Sequence, residues 1–145
     1  MGARTSSREA ALQMLFGIEI NRVSADTAIQ NFWREFEGDA EGRSYADEIV
    51  RGVSSSVDKL DELIRLASTN WRLERMARVD RNLLRLACWE LLHSLAVPRA
   101  VILDEAVELA KRFGGEDSGS FVNGVLDRIA EECGRVDQDG SPTQG

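Results

Sequence analysis

Residues 81–95, RNLLRLACWELLHSL, cannot lie on a protein surface as an ordinary amphipathic helix. Leu83, Leu84, Leu86, Ala87, Leu91 and Leu92 cover more than one helical face, so the segment has to sit among neighbouring elements. Asp80 just before it reads as an N-cap, because its carboxylate can accept from the free N–H groups of a first helical turn. A central helix of this kind needs several partners with one apolar stripe each. The remainder of the chain supplies them, and nowhere does it show the sustained period-two alternation of a half-buried strand.

Ser6 followed by Glu9 forms a capping box, which predicts a first helix from about Ser7 to Asn21 with Ala11, Leu12, Leu15 and Ile18 on its apolar side. A second helix is expected over about 25–36, with Ile29, Phe32, Trp33 and Phe36 inward. The polar, glycine-bearing EGDAEG loop separates it from a third, about 43–54, carrying Tyr45, Ala46, Ile49, Val50 and Val53. Serines 54–56 break that pattern, and Ser55 with Asp58 can cap a fourth helix bearing Val57, Leu60, Leu63, Ile64 and Ala67. An irregular turn, NWRLERMAR, leads to the central helix. After Pro98, a sixth helix of about 99–113 stops at Gly114-Gly115. A seventh covers about 118–133, with Phe121, Val122, Val125, Leu126 and Ile129 inward. The expected fold is all-α, with about seven helices in one domain over 1–134 and a disordered polar tail over 135–145.

At 145 residues and 43% hydrophobic content the chain can bury a sizeable core. No apolar run approaches the roughly 20 residues that cross a bilayer, and MGARTSSREAALQ does not read as a signal peptide. The expectation is a cytoplasmic protein with no membrane partner. Cys88 and Cys133 are expected as buried free thiols. With the lone His93 they fall short of the four ligands of a structural zinc site, so no metal and no cofactor are expected. No enzyme is expected either. A nucleophile needs an adjacent base, and His93 follows an apolar helical run, a structural position more often than a catalytic one. Gly114-Gly115 follows a helix and lacks the lysine of a phosphate loop.

Two stretches suit single-stranded RNA. On the first helix Arg8, Gln13 and Phe16 combine an arginine for phosphate, an amide for a base edge and an aromatic for stacking; Phe16 could equally pack beneath a neighbouring helix. Arg72, Arg75, Arg78, Arg81 and Arg85 lie within fourteen residues against only Glu74 and Asp80, the densest positive run in a chain of net charge −7. They suit phosphate or an acidic partner, or else surface salt bridges, and Arg85 can act as an internal strut beside Glu90 or Glu105.

The run EAVELAKRFGGEDSGSFVNGVLDRIAEE, with SREAALQMLF and VDRNLLRLACWEL upstream, resembles the NusB family of bacterial transcription antitermination factors over about residues 7–133. The resemblance implies two packed three-helix groups with the first helix bridging them. It implies binding of boxA-type single-stranded RNA through Arg4, Arg8, Gln13, Phe16, Phe113, Asp117 and Phe121, to which the charge argument adds Arg75. It implies a protein partner, NusE, docking on the central helices at Asp80, Arg81, Leu84 and Glu105. The function implied is assembly on an RNA polymerase elongation complex, promoting processive transcription of ribosomal RNA operons. Three departures lower the positive charge: only Arg4 and Arg8 precede or open the first helix, Ser120 stands where relatives often have lysine, and Asp104 where they usually have asparagine. A chain so altered is expected to bind RNA weakly alone and to lean on its partner. Alternatives are a protein-interaction module or homodimer with little RNA binding, and the RNA-binding domain type found in RNA cytosine methyltransferases.

Overall fold

The computed structural model describes residues 3–69 and 72–135. Among them the chain is helical throughout, in the order α1 (Ala3–Asn21), α2 (Ala25–Glu35), α3 (Ala40–Ser55), α4 (Val57–Ala67), a short 3-10 turn (Leu73–Arg75), α5 (Arg78–His93), α6 (Arg99–Phe113) and α7 (Ser118–Glu132). No described helix is long and apolar enough to cross a membrane. The chain divides into two compact units, α1 to α3 and α4 to α7.

In the first unit α1 packs against α2 and α3, and α2 against α3. Helix α1 begins at Ala3, so Ser6 lies inside it and is not the N-cap. Ser7 instead donates to the Gly42 carbonyl at 2.9 Å, tying α1 to the first turn of α3. Ser24 caps α2 by accepting from the Thr27 N–H at 3.1 Å, and Asp39 caps α3 by accepting from the Gly42 N–H at 2.7 Å. All five apolar residues expected inward on α3 are buried. On α2 only part of the expected stripe is: Ile29 is buried, Phe32 and Trp33 are half-buried, and Phe36 is 51% exposed. The cause is the helix end, where Phe36 adopts extended backbone and its ring leaves the helical register. Trp33 is fixed by an indole N–H bond to Asp47 at 2.7 Å.

Helix α3 ends where Ser55 and Ser56 both donate to the Gly52 carbonyl, at 3.1 and 2.9 Å. These hydroxyls compete with the backbone ladder and break it. Ser55 therefore closes α3 and does not cap α4.

In the second unit α5 is central, packed against α4, α6 and α7, with α6 also on α7 and α4 also on α7. Leu83, Leu84, Leu86 and Leu91 are at most 1% exposed, each contributing about 1.5–3 kcal/mol relative to exposure. The N-cap of α5 is Ala77, not Asp80, which lies within the first turn. Arg85 grips Asp61 of α4 through two bonds of 2.7 and 2.9 Å. Arg99 at the start of α6 reaches Asp127 and Glu131 of α7, at 2.7 and 3.2 Å. Gly119 allows α7 to approach α6, since a Cβ there would stand 3.3 Å from the Lys111 side chain.

The end of α7 departs from the expected polar tail. Gly134 takes φ +66°, its N–H bonds the Glu131 carbonyl at 3.2 Å, and the Arg135 N–H bonds the Ala130 carbonyl at 3.1 Å. This pair of bonds turns the chain back on itself. Arg135, expected in the disordered segment, is 4% exposed and donates to carbonyls of Leu91, Ser94 and Val97 at the end of α5. The remaining tail, 136–145, lies outside the described residues. Of the two cysteines, both expected to be buried, Cys88 is and Cys133 is exposed, because α7 turns it away from the packed face; both are free.

Candidate nucleic-acid and partner surfaces

Each unit carries its own candidates. On the first, Arg4 is exposed, with its guanidinium 4.1 Å from the centre of the Tyr45 ring. That contact orients the group while leaving its N–H edge toward water. Gln13 is exposed and Phe16 half-buried, so both reach the surface. Arg8 does not: at 2% exposure it belongs to the interior. Its place among α1's buried residues, beside Ser7 and one turn from Ala11 and Leu12, withdraws it from the surface set.

On the second unit the five arginines of residues 72–85 divide. Arg72, Arg75 and Arg78 are exposed. Arg81 is half-buried and donates to the Leu73 and Met76 carbonyls at 3.3 and 3.2 Å, closing the turn that precedes α5. Arg85 is the partner of Asp61.

Between α6 and α7 the chain presents Phe113, 40% exposed, with the Arg112 guanidinium 4.9 Å from its ring centre. Asp117 is exposed at the N-cap of α7 and makes no side-chain capping bond. Phe121, expected inward, is only half-buried and lines a small cleft of about 190 Å³ with Ser68, Thr69, Ser120, Gly124 and Arg128. Arg128 is anchored there by a 2.7 Å bond to the Ala67 carbonyl. An aromatic ring, hydroxyls and a guanidinium in one cleft suit a nucleotide. Arg128 escaped the sequence reading, although its spacing of seven from Phe121 puts both on one helical face.

The expected protein-partner residues also divide. Asp80, Arg81 and Glu105 are half-buried and reach the surface, and Asp80 holds a buried Oδ1 with no hydrogen-bond partner. Leu84 is fully buried and serves the core, because it lies on the face of α5 enclosed by the rest of the unit. His93 is exposed in the last turn of α5, its ring 5.2 Å from that of Trp89. Among the described residues no cluster of His, Cys, Asp and Glu could hold a metal ion.

An all-α chain whose polar and aromatic candidates lie on open faces and shallow clefts is built as a binding protein, working through surfaces. Its family is the NusB family, to which the chain belongs: the family profile matches residues 5–131. The chain is 68% identical over 139 residues to the transcription antitermination protein NusB of Sorangium cellulosum, covering 96% of this chain and 99% of that one. It is 46% identical over 134 residues to the protein of that name from Myxococcus xanthus, covering 90% and 96%. Among solved structures it superposes on T. maritima NusB with a TM-score of 0.82 at 39% identity, covering 89% of this chain and 91% of that one. A NusB chain crystallised with NusE and double-stranded RNA gives the same TM-score at 23% identity, covering 90% and 97%, a likeness of fold.

Proposed function

We propose that this chain is a bacterial transcription antitermination factor that binds boxA-type single-stranded RNA jointly with NusE. The pair joins the RNA polymerase elongation complex and promotes processive transcription of ribosomal RNA operons. It works in the cytoplasm by assembly and not by catalysis, with residues 1–134 and the packed Arg135 as the working domain. The observation that carries this reading is the 68% identity, spanning nearly the whole of both chains, to a transcription antitermination protein NusB.

The surface chemistry supports it. Arg4, Gln13 and Phe16 on α1, Arg75 on the turn before α5, and Phe113, Asp117 and Phe121 around the start of α7 are the RNA contacts in this reading, with Arg128 added. Asp80, Arg81 and Glu105 are the NusE contacts. The net charge of −7 makes a solitary phosphate-driven complex weak, so NusE has to share the RNA.

The test is fluorescence anisotropy of a labelled boxA RNA titrated with the chain alone, with NusE, and with a scrambled RNA. The expected result is tighter binding with NusE and preference for boxA. Phe113→Ala should weaken the joint complex by about 1–3 kcal/mol, the worth of one stacked base, while leaving the fold intact. Equal affinity for boxA and scrambled RNA in the presence of NusE would overturn the reading.

A further inference from the structure

The surface of α1 and α2 carries a feature that the proposed RNA contacts touch only at Gln13. Phe32 and Phe36 stack, ring centres 4.6 Å apart and planes 26° from parallel, and form a ridge. A hollow of about 350 Å³ lies on each side, and Gln13, Phe32 and Phe36 line both, so the two are one groove divided by the ridge. Ala10 and Trp33 add apolar surface to the first hollow, Met14 and Val23 to the second. Phe36 at 51% exposure is the most exposed aromatic ring among the described residues. An exposed ring at the centre of an apolar groove is a costly arrangement for a surface meant only for water.

The charge lining the groove has one sign. Glu9, Glu37 and Asp39 line the first hollow and Glu35 the second, and neither hollow has a lysine or arginine among its lining residues. Two arginines flank the groove and are engaged on lining residues: Arg43 over the Trp33 ring at 5.1 Å, and Arg34 with the Asn31 side chain at 3.5 Å. Four carboxylates around an apolar groove repel phosphate and attract ammonium or guanidinium groups. Two hollows separated by a ridge accept apolar side chains spaced one turn apart on a helix.

We propose that this groove docks a basic amphipathic segment of a partner protein. Apolar side chains fill the two hollows astride Phe36, and flanking Lys or Arg residues meet Glu35, Glu37, Asp39 and Glu9. The groove meets the RNA reading only at Gln13, and its carboxylates repel a polyanion along the rest of it.

The probe is a labelled helix-forming peptide with Leu at helical spacing and Lys elsewhere, compared with the same peptide carrying Glu for Lys. Binding is read by anisotropy and localised by amide chemical shifts of the full chain. The Lys peptide is expected to bind and to shift Gly17, Phe32, Phe36 and Gly38. Phe36→Ser should weaken it about tenfold, the loss of a central aromatic anchor. Because Phe36 also contributes to its ridge, a second variant, Glu35→Lys with Glu37→Lys, guards the test: both sites are exposed, and it too should weaken binding. Equal binding of the Glu peptide, shifts outside the groove, or indifference to both variants would overturn the proposal. So would boxA RNA shifting the same groove amides, which assigns the groove to nucleic acid, or Phe36→Ser converting a sedimenting dimer to monomer, which assigns it to a second copy.

Discussion

Replacing Arg135 by alanine should destabilise the protein far more than its place in a polar C-terminal sequence implies. Its guanidinium donates to the Leu91 carbonyl at 2.8 Å, to Ser94 at 3.2 Å and to Val97, and approaches the Glu90 carbonyl at 3.4 Å. The Glu90 and Ser94 carbonyls also accept from the Ser94 and Val97 N–H groups, whereas Leu91, in the last turn of α5, and Val97, just beyond it, lie where the helical ladder no longer supplies a donor. A hydrogen bond to a charged group contributes about 1.5–3 kcal/mol net. Three such bonds share one side chain and do not add fully, so alanine should cost about 3 kcal/mol, counting the carbonyls stranded in a site only 4% exposed. For a chain of this length that lowers the Tm by about 10 °C, measurable by circular dichroism during a thermal ramp. Lysine should recover part of the loss, since it restores the charge but not the planar fork. Gly134→Ala should reproduce a smaller share, about 1–2 kcal/mol, because alanine resists the left-handed backbone that aims Arg135 inward. An Arg135→Ala protein melting within about 2 °C of the parent would refute the reasoning, and so would a Gly134→Ala protein less stable than Arg135→Ala.

Three further outcomes are expected. Alanine at Gly114 would place a Cβ 2.5 Å from Ser118 Oγ and 2.7 Å from the Ala110 carbonyl oxygen; the loss should be about 2 kcal/mol in chemical denaturation, and a variant as stable as the parent would contradict the crowding. Alanine at either Asp61 or Arg85, whose side chains are 17% and 14% exposed, should cost about 2–3 kcal/mol, and the double-mutant cycle should return a coupling of at least about 1 kcal/mol; additive losses would mean the pair does not join α4 to α5. Burial pushes the Cys88 thiol from 9.0 up to about 12, aided by the nearby Cys133 and Asp61. It therefore stays protonated when folded, and the stability this contributes is complete below about pH 9 and is lost as pH rises toward about 12. At pH 8 a disulfide reagent should titrate one thiol in the native chain, the exposed Cys133, and two in denaturant; two fast native thiols would refute it.

Where sequence foretold structure, the signal was local and repeated. The bounds of α6 follow from Pro98 at one end and Gly114 at the other, and the five inward residues of α3 follow from one uninterrupted stripe. The central rank of α5 follows from leucines on more than one face. The candidates Phe113, Asp117 and Phe121 came from the family resemblance alone, and the apolar pattern of α7 pointed Phe121 inward, where it is only half-buried. What escaped was settled by groups distant in sequence. Arg85 and Asp61 stand 24 positions apart, Arg135 and Leu91 44 apart, and no periodicity links them. The start of α1 was misplaced because a good capping box does not forbid three more helical residues before it.

The arginine run of residues 72–85 makes the reason plain. Its residues are alike in charge and nearly evenly spaced, so the sequence offers no ground for separating them. The structure separates them by what each finds within reach. Arg81 meets the Leu73 and Met76 carbonyls around the 3-10 turn, the first of which also accepts from the Met76 N–H, and Arg85 meets the Asp61 carboxylate of α4. Arg72, Arg75 and Arg78 remain exposed. Positive density in sequence therefore overstates the charge this protein can offer to RNA, because part of it is consumed in satisfying backbone ends and buried acids. With Arg8 also interior, dependence on a partner for RNA affinity follows from where the arginines are placed as much as from how few there are.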